Sequence, residues 1–245
     1  MKTKLGILSS LWHRPQLTEL FLDRLEHVKE KFDCVPACVG TDYEHSQACI
    51  NRGILYTDHQ NKPLGTKWNH GIRLFQDQDV SHVMILGSDD FVCDEFIEFS
   101  IEFCKDKDFT GCKDLFMFGA HPHRKGFGTL FYFRYKGFLV GPGRCYSKKI
   151  LEEMNWTPWN VNKNAGLDGS ITKTVKMLGS HVKRGSFISR DRGLFLVDIK
   201  TSGNISGIPG GAKPYDGDFK MMLLRNLPED EAINIVDFLM EIKAL

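Results

Sequence analysis

The chain reads as an α/β domain on a mixed, mainly parallel sheet, and two features of its first hundred residues carry that expectation. Short apolar runs alternate with segments of helical period, the pattern of right-handed βαβ units. The run Val83-Met84-Ile85-Leu86 is apolar throughout, as a strand buried on both faces would be. It then passes through Gly87-Ser88 into two adjacent carboxylates, Asp89 and Asp90.

In order, Leu5-Gly6-Ile7-Leu8 is the first strand, ending in Ser9-Ser10. Pro15 suits a first helical turn, where its missing N–H is not needed. Leu17, Leu20, Phe21, Leu25, Val28 and Phe32 then recur at helical spacing. Residues 35–40 form a second strand ending in Thr41-Asp42, and residues 54–57 a third. Residues 65–75 read as a helix burying Trp68, Ile72 and Phe75. Residues 94–104 are the helix after the fourth strand. Order weakens after residue 106. Residues 115–120 and 129–135 read as strands joined by a His121–Gly128 loop. Gly141-Pro142-Gly143-Arg144 reads as a turn, followed by helices over 147–154 and 168–178 and a strand over 194–199. Residues 201–218 are Gly- and Pro-rich, the composition of a loop. An amphipathic helix over 229–242 closes the chain, packing on the core or on a second subunit to make a homodimer.

Composition excludes several classes. A net charge of +1 gives no global attraction to nucleic acid or an anionic membrane. The basic residues His121, His123, Arg124, Lys125, Lys183 and Arg184 read as solvated loop surface. No run approaches the roughly 18 apolar residues that span a bilayer, and the N-terminal apolar run is too short for a secretion signal. Seven scattered cysteines with no metal-ligand spacing read as reduced core thiols of a cytoplasmic protein.

Ligands of open α/β sheets bind beyond the carboxyl ends of the strands, so Ser9, Asp42, Asp89 and Asp90 are expected at one edge. Adjacent like charges need compensation, and Mg²⁺ or Mn²⁺ on a phosphorylated substrate supplies it, because both ions prefer oxygen ligands. The alternative is a turn whose aspartates are solvated or cap the next helix. Lys67, in the first turn of its helix, is either an anion contact or a solvated lysine.

These residues in this order resemble family 2-type glycosyltransferases with a GT-A fold: the first-strand turn, Asp42, Lys67-Trp68-Asn69-His70-Gly71, and Ser88-Asp89-Asp90. The resemblance covers residues 4–105 well and continues loosely to about 200. It implies a Rossmann-like α/β/α sandwich, a nucleotide-sugar donor (a UDP-sugar above all) and Mn²⁺ or Mg²⁺. Residue by residue, it makes Ser9 and Asp42 nucleoside contacts, Lys67 a basic group near the donor, Asp89 a ribose or sugar contact and Asp90 a metal ligand. Asp168, opening a later helix, matches the general base of an inverting transfer, with capping of that helix as its structural alternative. Where many members carry a metal-binding histidine, this chain has Asp198-Ile199-Lys200-Thr201, and Asp198 is the substitute oxygen ligand.

On this reading residues 1–105 bind the donor, 106–212 form the acceptor and catalytic half of the same domain, and 213–245 are a tail and helix. The Gly-rich loop over 203–211 closes over the donor. The acceptor is a hydroxyl on a glycan, small molecule, protein or modified nucleic acid. The rivals are a nucleotidyltransferase, against which the glycine-free Ser9–Arg14 turn counts, and an inactive sugar-nucleotide-binding module.

Overall fold

The computed structural model describes residues 3–202, 204 and 207–245. The first half follows the strand–helix alternation. Strand β1 (Leu5–Ser10) leads to α1 (Pro15–Phe32), β2 (Val35–Gly40), α2 (Tyr43–Asn51), β3 (Leu55–Asp58), α3 (Leu64–Ile72) and β4 (His82–Ile85). These four strands are parallel in the order β3-β2-β1-β4. Parallel strands covered on both faces should be apolar throughout, and Leu5, Ile7, Leu8, Val83 and Met84 are each at most 1% exposed. Helix α1 buries Leu17, Phe21, Leu22, Leu25 and Val28. Each such side chain contributes about 1.5–3 kcal/mol of transfer free energy.

The second half is more intricate than the sequence pattern suggests. It comprises β5 (Asp90–Val92), α4 (Asp94–Cys104), β6 (Phe109–Thr110), β7 (Asp114–Gly119), β8 (Leu130–Arg134), β9 (Arg144–Ser147), α5 (Lys148–Glu153), α6 (Leu167–Met177), β10 (Leu196–Lys200), β11 (Lys213–Pro214), α7 (Phe219–Asn226) and α8 (Glu229–Glu241). Strand β9 returns to the first sheet antiparallel to β4, with β6 at its edge. A second sheet runs β11-β8-β7-β10-β5, and only its β7–β10 pairing is parallel. The two sheets therefore interleave along the chain, since β5, directly after β4, enters the second sheet and β9 later returns to complete the first.

Two points add to the sequence reading. After β4 the chain turns at Gly87–Asp89 and re-enters a sheet at Asp90. The closing helix α8 turns Ala232, Ile235, Val236 and Leu239 into its own chain, against α1 and α7, which is the packing on the core that its sequence allows. All seven cysteines are free and buried, as expected. No helix among the described residues is long and apolar enough to cross a membrane.

Candidate active site

The carboxyl ends of β1 and β4 open toward the second sheet, and the acidic pair sits in that cleft. After β4, Gly87-Ser88-Asp89 make the turn and β5 begins at Asp90. Strand β5 runs antiparallel to β10 with Asp90 directly opposite Asp198. Directly opposed residues hold their Cβ atoms about 4.5–5.5 Å apart, and like charges so placed repel. Asp89 completes the group: one oxygen from each of the three carboxylates lies within 4.8 Å of the others.

The protein compensates this charge only in part. Arg14 Nη1 is 2.9 Å from Asp89 Oδ2, and Asn204 Nδ2 donates to the same oxygen. The Gly87 N–H donates to Asp90 Oδ2 at 2.5 Å. The Lys200 ammonium pairs with Asp198 Oδ2. Asp198 Oδ1, although buried, has no hydrogen-bond partner among the described residues. Burial, then the charges of Asp198 and Asp89, pushes Asp90 well above the usual carboxylate range. Burial likewise pushes Asp198 up to about 7, with Asp89 adding to it and Lys200 opposing. Burial would raise Asp89 too, but Arg14 and Lys200 outweigh it and hold it below the usual range.

These residues fit a hard divalent cation. They offer carboxylate oxygens only, one of them is buried and unpartnered, and the repulsion among them is what such an ion removes. The backbone leaves room, because a Cβ at Gly87 would stand 2.6 Å from Asp89 Oδ1 and 2.7 Å from Asp90 Oδ2. The cluster lines a cavity of about 210 Å³ with Ser10, Trp12, Arg14, Asn61, Pro142 and Lys200. Trp12 and Asn61 also line an adjoining cavity of about 440 Å³, beside Thr41, Asp58, His59 and Gln60. The cleft thus runs from the acidic cluster to the ends of β2 and β3.

The other residues singled out in the sequence take varied places. Ser9 faces the interior, fully buried with its hydroxyl unpartnered; strand alternation presents Ser10 to the cavity instead. Asp42 caps α2, accepting from the His45 N–H at 2.9 Å, with its second oxygen 2.8 Å from His45 Nδ1. Its neighbour Thr41 and the β3 residue Asp58 line the adjoining cavity. Lys67 is not a solvated lysine. It is fully buried and donates to the Leu11 carbonyl at 2.6 Å and to Asn61 Oδ1 at 3.1 Å. Burial pushes it down to about 8, with Asp42 opposing. Its amine thus straps the Leu11–Trp12 turn to α3 and holds Asn61 of the cavity wall. Asp168 lies in the first turn of α6, whose N-cap is Gly166, so it is not the cap. Its carboxylate is half exposed and 3.2 Å from Arg144 Nη1, a guanidinium only 2% exposed. It also abuts Gly141, next to Pro142 of the cavity wall.

Sequence reasoning passes over Arg14, Lys200 and Asn204, which touch the cluster directly. Arg14 carries a local signal only in the structure: His13 and Arg14 both have left-handed backbone, φ 53° and 58°, a strained arrangement that accompanies functional turns. That turn aims the guanidinium at Ser88 Oγ, 2.9 Å away, and at Asp89. Asn204 belongs to the Gly-rich segment read as a closing loop. Gly203, Ile205 and Ser206 of that segment lie outside the described residues.

No protein-family model matches this chain, and no curated protein matches it by sequence. Solved structures do resemble it. S. aureus TarS 1-349 in complex with UDP aligns with a TM-score of 0.58 at 12% identity, over 94% of this chain and 68% of that one. The mannosyltransferase PcManGT from Pyrobaculum calidifontis, in complex with GDP-Man and Mn²⁺, aligns with a TM-score of 0.56 at 11% identity, over 92% of this chain. This chain spans 61% of the mannosyltransferase's length. At these identities the likeness is one of fold: the chain has a GT-A-type α/β fold, as its sequence resemblance implied.

Proposed function

We propose that the chain is a metal-dependent glycosyltransferase that moves a sugar from a nucleotide-diphosphate donor to an acceptor hydroxyl. One observation carries this reading: Asp90 and Asp198 oppose each other across β5 and β10 beside Asp89, with a buried Asp198 oxygen unpartnered, at the strand ends where such a fold binds ligands. The two structural neighbours, one in complex with UDP and one with GDP-Man and Mn²⁺, support the choice of donor class. By the family resemblance a UDP-sugar is the first donor to try.

Asp89, Asp90 and Asp198 would hold Mn²⁺ or Mg²⁺, which when bound supplies Lewis-acid neutralisation of the charge on the leaving diphosphate. Arg14 and Asn204 fix Asp89 in the orientation the cluster needs. Trp12, Thr41 and Asp58 line the chamber suited to the nucleoside. Asp168, oriented by Arg144 and open to solvent, accepts the acceptor hydroxyl proton as that oxygen attacks the anomeric carbon, which gives inversion. Asp42 and Ser9 support the donor side from behind the cavity wall. Seven thiols, all free and buried, favour a reducing, cytoplasmic setting.

Incubation with nucleotide sugars and Mn²⁺, with products resolved by chromatography, tests this. Release of nucleoside diphosphate and sugar transfer or hydrolysis is expected, with loss of turnover in Asp90→Ala. In a parallel incubation with a nucleoside triphosphate and a sugar 1-phosphate, release of pyrophosphate would instead identify a nucleotidyltransferase. Full turnover by Asp90→Ala would remove the metal role.

A further inference from the structure

Lys200 sets this cluster apart from three bare acids. It closes β10 two residues after Asp198, so both side chains leave the same face of the strand. Its side chain is 10% exposed, as is that of Asp198, and it lines the same cavity as Asp89 and Asp90. An ammonium has three donors. Asp198 is the one acceptor it engages among the described residues, which leaves donor capacity facing a cavity suited to phosphate. With Arg14 on Asp89, two cationic side chains stand against three carboxylates. A divalent ion entering alone would meet carboxylates whose charge is partly offset and a positive charge on one of its own ligands.

Resting on the reading of this cleft as a cation-dependent donor site, we propose that Lys200 is a resident counter-ion that holds Asp198 until the donor arrives and then moves to the donor diphosphate, yielding Asp198 to the cation. The long, flexible lysine stem permits this exchange, which the rigid planar fork of an arginine would make less readily. No bond is made or broken in the exchange; one ion pair replaces another. Cation and donor therefore enter together, and the empty site holds divalent ions weakly.

The test measures Mn²⁺ binding to the full chain without nucleotide, by electron paramagnetic resonance of free Mn²⁺. Lys200→Met should bind Mn²⁺ about tenfold more tightly than the parent, because a like charge has left the site. Lys200→Arg, which keeps that charge, should stay within about twofold of the parent. Adding Asp90→Asn to Lys200→Met should abolish the gain and so locate the ion. In EDTA, UDP and GDP should bind Lys200→Met about tenfold more weakly than the parent, because an ammonium partner of the diphosphate is gone. Mn²⁺ affinity in Lys200→Met equal to or below that of the parent would overturn the proposal, because a lysine that merely orients Asp198 leaves a weaker site when removed. Unchanged nucleotide affinity in EDTA would overturn the transfer to diphosphate. Circular dichroism and melting establish that each variant is folded, with Lys200→Gln replacing Lys200→Met if the latter is not. The glycosyltransferase reading fails separately, through absence of nucleotide-sugar binding, while the nucleotide-free Mn²⁺ comparison decides the counter-ion.

Discussion

Gly87 shows how closely backbone and charge are fitted at the turn that carries the acids. A methyl group at its Cα would stand 2.6 Å from one aspartate oxygen and 2.7 Å from another, well inside contact distance. Gly87→Ala is therefore expected to push the carboxylates out of register. Mn²⁺ affinity, measured in the presence of nucleoside diphosphate, should fall at least about tenfold, the effect of a disturbed ligand shell, and an unchanged affinity would show that the turn does not shape the cation site. Asp198 carries a second prediction. Its folded value of about 7 lies above the unfolded value of about 3.9, so the native state binds the extra proton. Stability from this group is full below about pH 4 and is lost as pH rises through about 7. Asp198→Asn should flatten that part of the metal-free stability curve, because the group whose proton the native state holds is gone. Denaturant melts of both proteins at pH 4 and pH 8 check it, and a variant with the parent's pH slope would contradict it. At this scale Asp89 and Asp90 stand out in the sequence, because acids after an apolar run are conspicuous, whereas Asp198 is reached only through the family resemblance. The sequence conceals Arg14, Lys200 and Asn204, because a basic or amide side chain is ordinary surface until a strained turn or a strand end aims it at a carboxylate. Lys67 is hidden in the same way: its place in a first helical turn leaves an anion contact and a solvated side chain both open, and only packing shows its amine turned under Leu11.

The elements are tied by a second set of charges far from the cleft. Arg24 on α1 is 1% exposed and pairs with Asp94 at the start of α4 at 2.5 Å and with Glu231 on α8 at 3.4 Å. Lys31 adds a contact to Asp94 at 2.7 Å and His27 one at 3.1 Å. Burial alone would raise Asp94, but Lys31, Arg24 and His27 outweigh it and hold it at about 2. A carboxylate so depressed stabilises the fold above its unfolded value of about 3.9 and loses that contribution as pH falls through about 2. Asp94→Asn should therefore cost about 1.5–3 kcal/mol at pH 7, the usual worth of hydrogen bonds to a charged group, and much less at pH 2. Chemical denaturation at the two pH values measures this, and an equal cost at both would show that the charge is immaterial. Elements that bury one clear face are legible in the sequence, as α1, α4 and α8 illustrate. Others are not. Helix α2 buries only His45 and Cys49, so it leaves no apolar stripe. Strand β9, Arg144-Cys145-Tyr146-Ser147, is buried throughout yet half polar, and its partners β4 and β6 are distant in the chain.

Across the whole molecule, the parallel half follows from local pattern, whereas the interleaving of two sheets depends on long-range pairing that no local period encodes. That interleaving makes the site: β5, directly after β4 of the first sheet, lies against β10 of the second, and so brings Asp90 to Asp198. The cation and the donor should then stabilise the chain jointly, by mass action on the native state. Calorimetric titration of a nucleotide-diphosphate sugar into the protein, with Mn²⁺ and with EDTA, tests the central claim most directly. Mn²⁺ should strengthen donor binding at least about tenfold in the parent, and the gain should vanish in Asp198→Asn and in Asp90→Asn. Equal donor affinity with and without Mn²⁺, or a gain that persists in both variants, would contradict it.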